Sequence, residues 1–305
     1  MATPLISIGL PVYNGQNFIA QAIESLLAQD LADFELIVSD NASTDGTEEI
    51  CCSLAKHDAR IRYLRSDRNR GAAWNFNHTF ELARGQYFKW AAHDDVCMPT
   101  FLSSCLRVLK AGAGVAVAYP RLQSIDADGN KLPGDPEQYA SSKPRPHQRF
   151  KEAVLGKHHC YAVFGVVPTE IMRRTRLIGP YVASDRVLLA ELSLLGQICQ
   201  VPEPLFLRRV HAGVSTTANE TPLALTRWFD TSRDAKVYLP TWRVWWEHCC
   251  NIRRAPLGFA ERAICDGTMV RYLWQRRYAL WRETKTAAIL GVRGILGDNG
   301  GPGRA

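Results

Sequence analysis

Nowhere do about 18 apolar residues run together in this sequence, so no segment is built to span a bilayer as a helix. CxxC is absent, and no Cys/His set has zinc spacing, which excludes a dithiol redox motif and a structural zinc site. The opening MATPLISIGLPVYN has no basic stretch and turns polar too early for a secretory signal. No internal repeat is visible. Acidic surplus is missing too: 30 Asp+Glu face 37 Lys+Arg, for a net charge of +7. That mild basicity suits a phosphate-rich ligand or an anionic membrane surface and does not imply nucleic acid. The nine cysteines are an odd, scattered set and read as small buried hydrophobes in a reducing compartment. The expected location is cytosolic, with any membrane contact made from that side.

What is present is a globular composition. At 305 residues and 46% hydrophobic content, the chain has material for a sizeable core and is neither a disordered tail nor a coiled-coil rod. The first 120 residues alternate strand and helix. Leu5–Leu10 reads as a buried strand closed by Pro11. Residues 15–29 carry Phe18, Ile19, Ala22, Ile23, Leu26 and Leu27 at helical spacing. Strand follows over 34–38, helix over 47–56, strand over 61–64 and helix over 72–83. Strand over 87–92, helix from Pro99 to about 110 and strand over 115–119 complete the series. This rhythm predicts a doubly covered, mainly parallel sheet with right-handed crossovers. Residues 121–148, rich in Pro, Gly, Asp and Lys, read as a long surface loop. Beyond it, a helix is expected over 168–174, and short strands over 198–201 and 205–210. The chain after about 221 reads as helical, and the tail from Gly297 as disordered.

Ligands of such sheets sit at the carboxyl ends of the strands. Asn14 follows the first strand, Asp40 the second, and Asp94 and Asp95 a later one. Paired carboxylates past a buried strand suit a hard divalent cation that shares phosphate oxygens with a ligand; a solvated turn would also use them. Asp40, followed by Asn41, can accept hydrogen bonds from a base or a ribose, although the segment also reads as an ordinary turn. Pro11, Tyr13 and Asn14 form a rigid exit toward a helix N-terminus, where backbone N–H groups favour anions. Arg70 and Gly71 precede another helix, and Arg70 can pair with a phosphate or simply stay solvated.

Taken in order, ISIGLPVYNG, IVSDNASTDGT and NRGAAWNFNHTFELARGQYFKWAAHDD resemble the family 2 glycosyltransferases of GT-A fold. The resemblance covers residues 5–120 most fully and 160–215 more loosely. It implies an inverting enzyme that moves a sugar from a nucleotide sugar, UDP-linked by preference, using Mn²⁺ or Mg²⁺. By the same resemblance, Asp40 recognises the base, Asp95 ligates the metal and Asp94 contacts the ribose or sugar. An acidic position common in the family is here Ala92 or His93. Ala183-Ser184-Asp185-Arg186 resembles the catalytic-base segment, which assigns Asp185 as general base; by itself, a lone Asp before an apolar helix reads as an N-cap. Ser184 stands where a second acid is frequent. Arg208, Arg209 and His211, with Ser215 beyond, resemble the basic segment that closes over the diphosphate, His211 being a metal ligand, a phosphate donor or a surface residue.

The implied layout is a catalytic domain over 1–215 and a helical extension over 216–305. The nucleotide part is 1–120 and the acceptor part 121–215. Residues 227–293 hold 13 Lys/Arg against 6 Asp/Glu, a surplus equal to that of the whole chain. Their interleaved Trp and Arg suit a membrane interface, a helical cap or an oligomer contact. The acceptor is a glycan or a lipid-linked molecule, and nucleic acid is not expected. A nucleotidyltransferase, or a nucleotide-sugar-binding protein without turnover, are the alternative readings.

Overall fold

A computed structural model describes residues 3–134, 138–211, 213, 222–229, 231 and 239–297. Ser215, Tyr238 and the glycine-rich tail lie outside the described residues.

Strand β1 (Ile6–Val12) is buried along its whole length, as expected for a parallel strand covered on both faces. Helix α1 (Ile19–Leu27) turns Ile19, Ala22, Ile23 and Leu26 into the core. Strand β2 (Phe34–Asp40) is equally buried. Helix α2 (Thr47–His57) carries Glu48 and Glu49 in its first turn and Lys56 and His57 in its last, matching the helix dipole at both ends. Strand β3 (Ile61–Arg65), helix α3 (Ala72–Glu81) and strand β4 (Tyr87–Trp90) follow, then β5 (Val96–Cys97), helix α4 (Phe101–Ala111) and β6 (Val115–Ile125). Next come α5 (Pro146–Leu155), a 3₁₀ turn at Tyr161–Phe164, β7 (Val167–Pro168), α6 (Thr169–Met172), α7 (Ser184–Leu195) and β8 (Gln197–Arg209). Helices α8 (Pro222–Phe229), α9 (Pro240–Arg254) and α10 (Phe259–Gly297) end the described chain.

The strands form two sheets. One has the order β3-β2-β1-β4-β7, parallel except for β7 at its edge. The other has the order β5-β8-β6, in which β6 and β8 run parallel. The chain leaves β1 toward β2 and β3, then crosses back to place β4 on β1's other side. The gap between the ends of β1 and β4 is therefore the topological switch point, where open α/β sheets bind their ligands.

Several sequence expectations change. Residues 121–125 belong to β6 and α5 already begins at Pro146, so the long loop is shorter at both ends. The two strands expected at 198–201 and 205–210 are one strand, β8. Pro202 and Pro204 lack a ladder N–H, and the chain absorbs them as irregularities opposite Pro120–Leu122 rather than breaking. The helix at Pro168 is only one turn, α6. Helix α1 starts at Ile19, whose amide donates to the Gly15 carbonyl at 3.0 Å.

One core cluster joins Ile6, Ile8 and Leu10 to α1 and α4. The other joins Phe88 and Trp90 to Phe150 and Leu188, and continues into Ile252, Cys265 and Met269 of the C-terminal helices. α9 and α10 thus pack on α7 and α5 as part of the same core.

Candidate active site

The loops after β1, β2 and β3 are sewn together at the strand ends. Amides of Asn14, Gly15 and Gln16 donate to Ser43 Oγ, Thr47 Oγ1 and Asp45 Oδ2 at 2.9, 2.8 and 3.1 Å. In return, Asn14 Oδ1 accepts the Thr44 amide, with Asn14 at a φ of 53°. The anion-binding role expected for these N–H groups is corrected here: all three are taken by the protein. Asn41 ties in the third loop. Its Oδ1 accepts the Arg70 amide, and its Nδ2 donates to Asn69 Oδ1 and the Gly71 carbonyl. Gly71 caps α3 at a φ of 86°, a conformation that favours glycine. Pro11 is buried inside β1, and Tyr13 stands exposed at the rim.

Asp40 is wholly buried. Its Oδ1 accepts the Ser43 amide at 2.8 Å, and its Oδ2 accepts Tyr63 Oη at 2.7 Å and Arg65 Nη1 at 2.9 Å. The Arg65 guanidinium also reaches the Ser43 carbonyl. Burial and the bond to Asp40 push the Tyr63 phenol far above its usual range, so it remains a donor. Tyr63 and Arg65 escaped the sequence reading because their partner Asp40 lies 23 and 25 positions away and no local pattern records the pairing. Arg70 pairs with Asp67 at 2.8 Å and lies over the Trp74 ring.

At the switch point Asp94 and Asp95 follow β4 and take different roles. Asp94 Oδ2 meets His211 Nε2 at 3.0 Å. Asp95 Oδ1 accepts the Arg209 amide at 2.9 Å from inside the core. Burial, reinforced by the adjacent Asp94, pushes the Asp95 carboxyl well above the usual carboxylate range. Arg209 is buried and its donors are consumed: Nε by the Asp94 carbonyl, Nη1 by the carbonyls of Asp126 and Ala127, and Nη2 by Gln21. It lies over Phe18, which also touches the His211 ring. Arg209 therefore fastens β8 to the β4 end. Arg208, its neighbour, points the other way and lies over Tyr161. His93 packs against the turn after β1, where a Cβ on Gly15 would fall 2.8 Å from its ring.

Asp185 lies in the first turn of α7, after Ala183 in a left-handed conformation, and is not the N-cap. Its Oδ1 accepts the Arg186 amide at 2.8 Å. Burial raises its carboxyl above the ordinary value, against the lowering pull of Arg186 and His158. Tyr161, in the 3₁₀ turn, connects this residue to the strand ends: its phenol lies within electrostatic reach of Arg208, Asp95, Cys160 and Asp185. Of the residues singled out in the sequence, Arg208 is seen against this tyrosine, its guanidinium 5.1 Å from the ring centre. A cavity of about 350 Å³ lined by Tyr139, Ser141, Lys143, Glu152 and His158 borders this side.

Among the described residues no three His, Cys, Asp or Glu side chains gather to hold a metal unaided. The Asp94–His211 pair does fit a hard cation that takes its remaining oxygens from a ligand, since it sets one oxygen and one nitrogen donor face to face at the switch point.

Comparison with known proteins agrees with this architecture. An uncharacterized glycosyltransferase of Rickettsia felis is 34% identical over 130 residues, 42% of this chain and 21% of that protein, so the match spans about a fifth of its length. Staphylococcus aureus TarS 1–349 in complex with UDP superimposes with a TM-score of 0.63 at 16% identity, over 90% of this chain and 72% of that one. The mannosyltransferase PcManGT from Pyrobaculum calidifontis, in complex with GDP-Man and Mn²⁺, gives 0.51 at 16% identity, over 96% and 81%. At such identities the likeness is one of fold, and it is the GT-A architecture. Residues 7–170, more than half the chain and including β1–β4 with Asp94 and Asp95, match the family described as Glycosyl transferase family 2. The chain belongs to glycosyl transferase family 2.

Proposed function

We propose that this chain moves a sugar from a UDP-linked donor to an acceptor hydroxyl, with inversion at the anomeric carbon. The observation that carries the reading is the approach of Asp94 to His211 at the switch point. The UDP held by TarS supports the choice of uridine.

In this account, Tyr13 at the rim and the loops joined by Asn14, Asn41 and Gly71 receive the nucleoside. Asp40, buried and fully engaged, acts by holding Ser43 and Arg65 in place. Asp94 and His211 would hold a Mn²⁺ or Mg²⁺ ion, which when bound neutralises charge on the leaving diphosphate. Asp95 serves as the anchor that fixes the Arg209 backbone beside them. Arg208, with its guanidinium on Tyr161, is the cation placed to face the departing phosphate. Asp185 accepts the proton of the acceptor hydroxyl as that oxygen bonds to the anomeric carbon. The bond from this carbon to the phosphate oxygen breaks, and UDP leaves with the electron pair. A carboxylate raised by burial is better suited to take that proton than a solvated one. The acceptor, a glycan or a lipid-linked molecule, enters on the side of His158.

The test is a thermal-shift panel of UDP, GDP and dTDP sugars with Mn²⁺. A UDP sugar should raise the melting temperature by mass action, and GDP sugars should raise it less. Equal failure of all three rejects the reading.

A further inference from the structure

Helix α10 has two unlike sides. Cys265, Met269, Tyr272 and Leu280 are buried, and the helix packs on α9 and α5. At 100° per residue, Val270, Trp274, Tyr278 and Trp281 share a stripe about 80° wide on the opposite side. These four are 67, 69, 73 and 63% exposed. Exposed Arg271 and Arg282 border the stripe on one flank and Arg277 on the other. The Arg277 guanidinium lies 4.6 and 4.5 Å from the Trp274 and Tyr278 ring centres, and Lys285 lies 5.1 Å from that of Trp281.

The acids of the same helix are all paired within the protein. Glu261 accepts from His147. Asp266 pairs with Arg253 at 3.0 Å, and Glu283 accepts the first amides of α9, Thr241 and Trp242. Among the described side chains, the outer face is therefore aromatic and cationic, and the neighbouring Asp266 is paired with Arg253. No described helix is long and apolar enough to cross a membrane.

We propose that this face of α10 is a docking surface for an anionic lipid bilayer. Trp and Tyr rings are amphipathic and settle at the headgroup level, and the flanking Arg side chains reach lipid phosphates. Charge selects this occupant. A second copy of the same face would set Arg271, Arg277 and Arg282 against identical cations, whereas an anionic leaflet neutralises them. The docked helix also has a defined relation to the rest of the molecule. Glu283 sits at the start of α9, and α9 runs alongside α7 in the same direction through Asn251 to Val187 and Arg254 to Glu191. The start of α9, where Glu283 sits, thus extends past the Asp185 end of α7.

The experiment is co-sedimentation of the full chain with phosphatidylcholine vesicles, with and without phosphatidylglycerol, at low and high salt. Binding to the anionic vesicles at low salt and release at high salt is expected. Trp274→Ser with Trp281→Ser should abolish it, and each of Arg271→Gln and Arg282→Gln should weaken it about fivefold. These side chains are exposed, and unchanged melting temperatures will show that the variants fold. Absence of binding, or equal binding to both vesicle types, overturns the proposal. So does a lipid-free dimer that the Trp substitutions dissolve, or Trp-dependent binding of a single-stranded oligonucleotide that outcompetes the vesicles.

Discussion

Asp94 and His211 stand 117 positions apart in the chain and meet at 3.0 Å. The Gly213 amide donates to His211 Nδ1 at 3.1 Å, so in the neutral ring the proton sits on Nε2 toward Asp94, and holding a cation there would move that proton to Nδ1 at the expense of the Gly213 bond. The pair is oriented before any ligand arrives. Replacing Asp94 with Asn, or His211 with Ala, should lower Mn²⁺-dependent UDP affinity about 10–100-fold and leave metal-free affinity nearly unchanged. Calorimetry with and without Mn²⁺ reads both. Asp95→Asn should chiefly lower the melting temperature, because its carboxyl holds the Arg209 backbone; if it instead removes the metal dependence, the roles of the two aspartates are reversed.

Asp185→Asn keeps the shape of the first turn of α7 and removes the proton acceptor. Transfer should fall by about 10²–10⁴ while UDP affinity is retained. In the unaltered protein the base must be ionised, so activity should rise with pH through a value above the ordinary aspartate pKa, in the direction that burial moves it. A pH profile flat across the acid range would remove Asp185 from the role.

Arg65 binds the carboxylate of Asp40 and the carbonyl of Ser43. Arg65→Ala leaves a fully buried carboxylate with two donors instead of three. Nucleotide affinity should drop about tenfold, with a lower urea midpoint. An affinity unchanged from that of the unaltered chain would detach Asp40 from nucleotide binding.

Glu35, the second residue of β2, is tied to Ser7, Arg62 and Arg84. Burial alone would raise its carboxyl, but the hydrogen bonds from Arg84, Ser7 and Arg62 outweigh that and hold it down at about 2. A depressed carboxyl stabilises the fold above its unfolded value of 4.5 and ceases to do so as pH falls toward 2. Glu35→Gln should therefore cost about 3 kcal/mol near neutral pH, and the gap should close on acidification. Urea midpoints measured across the acid range check it, and a pH-independent gap would contradict it.

The strand–helix alternation up to residue 120 was legible because each element buries one face and so prints its period in the sequence. Asn41 and Gly71 were visible as turn residues at strand ends, where loops converge. Tyr161, Arg65 and Gln21 were not, since each acts through a partner far along the chain and no local pattern records such a pairing. Pro202 and Pro204 misled for a related reason: a proline reads as a strand break, but a bulge on a paired strand absorbs it. Arg209 next to Arg208 looked like one basic patch, whereas strand alternation sends one guanidinium into the core and the other onto Tyr161.

The most direct measurement is product analysis of a UDP sugar incubated with Mn²⁺, with the unaltered chain and with Asp185→Asn. The account predicts UDP released by the unaltered chain, and an Asp185→Asn protein that still binds UDP but releases almost none. Pyrophosphate as the product, or equal UDP release by both proteins, would contradict it.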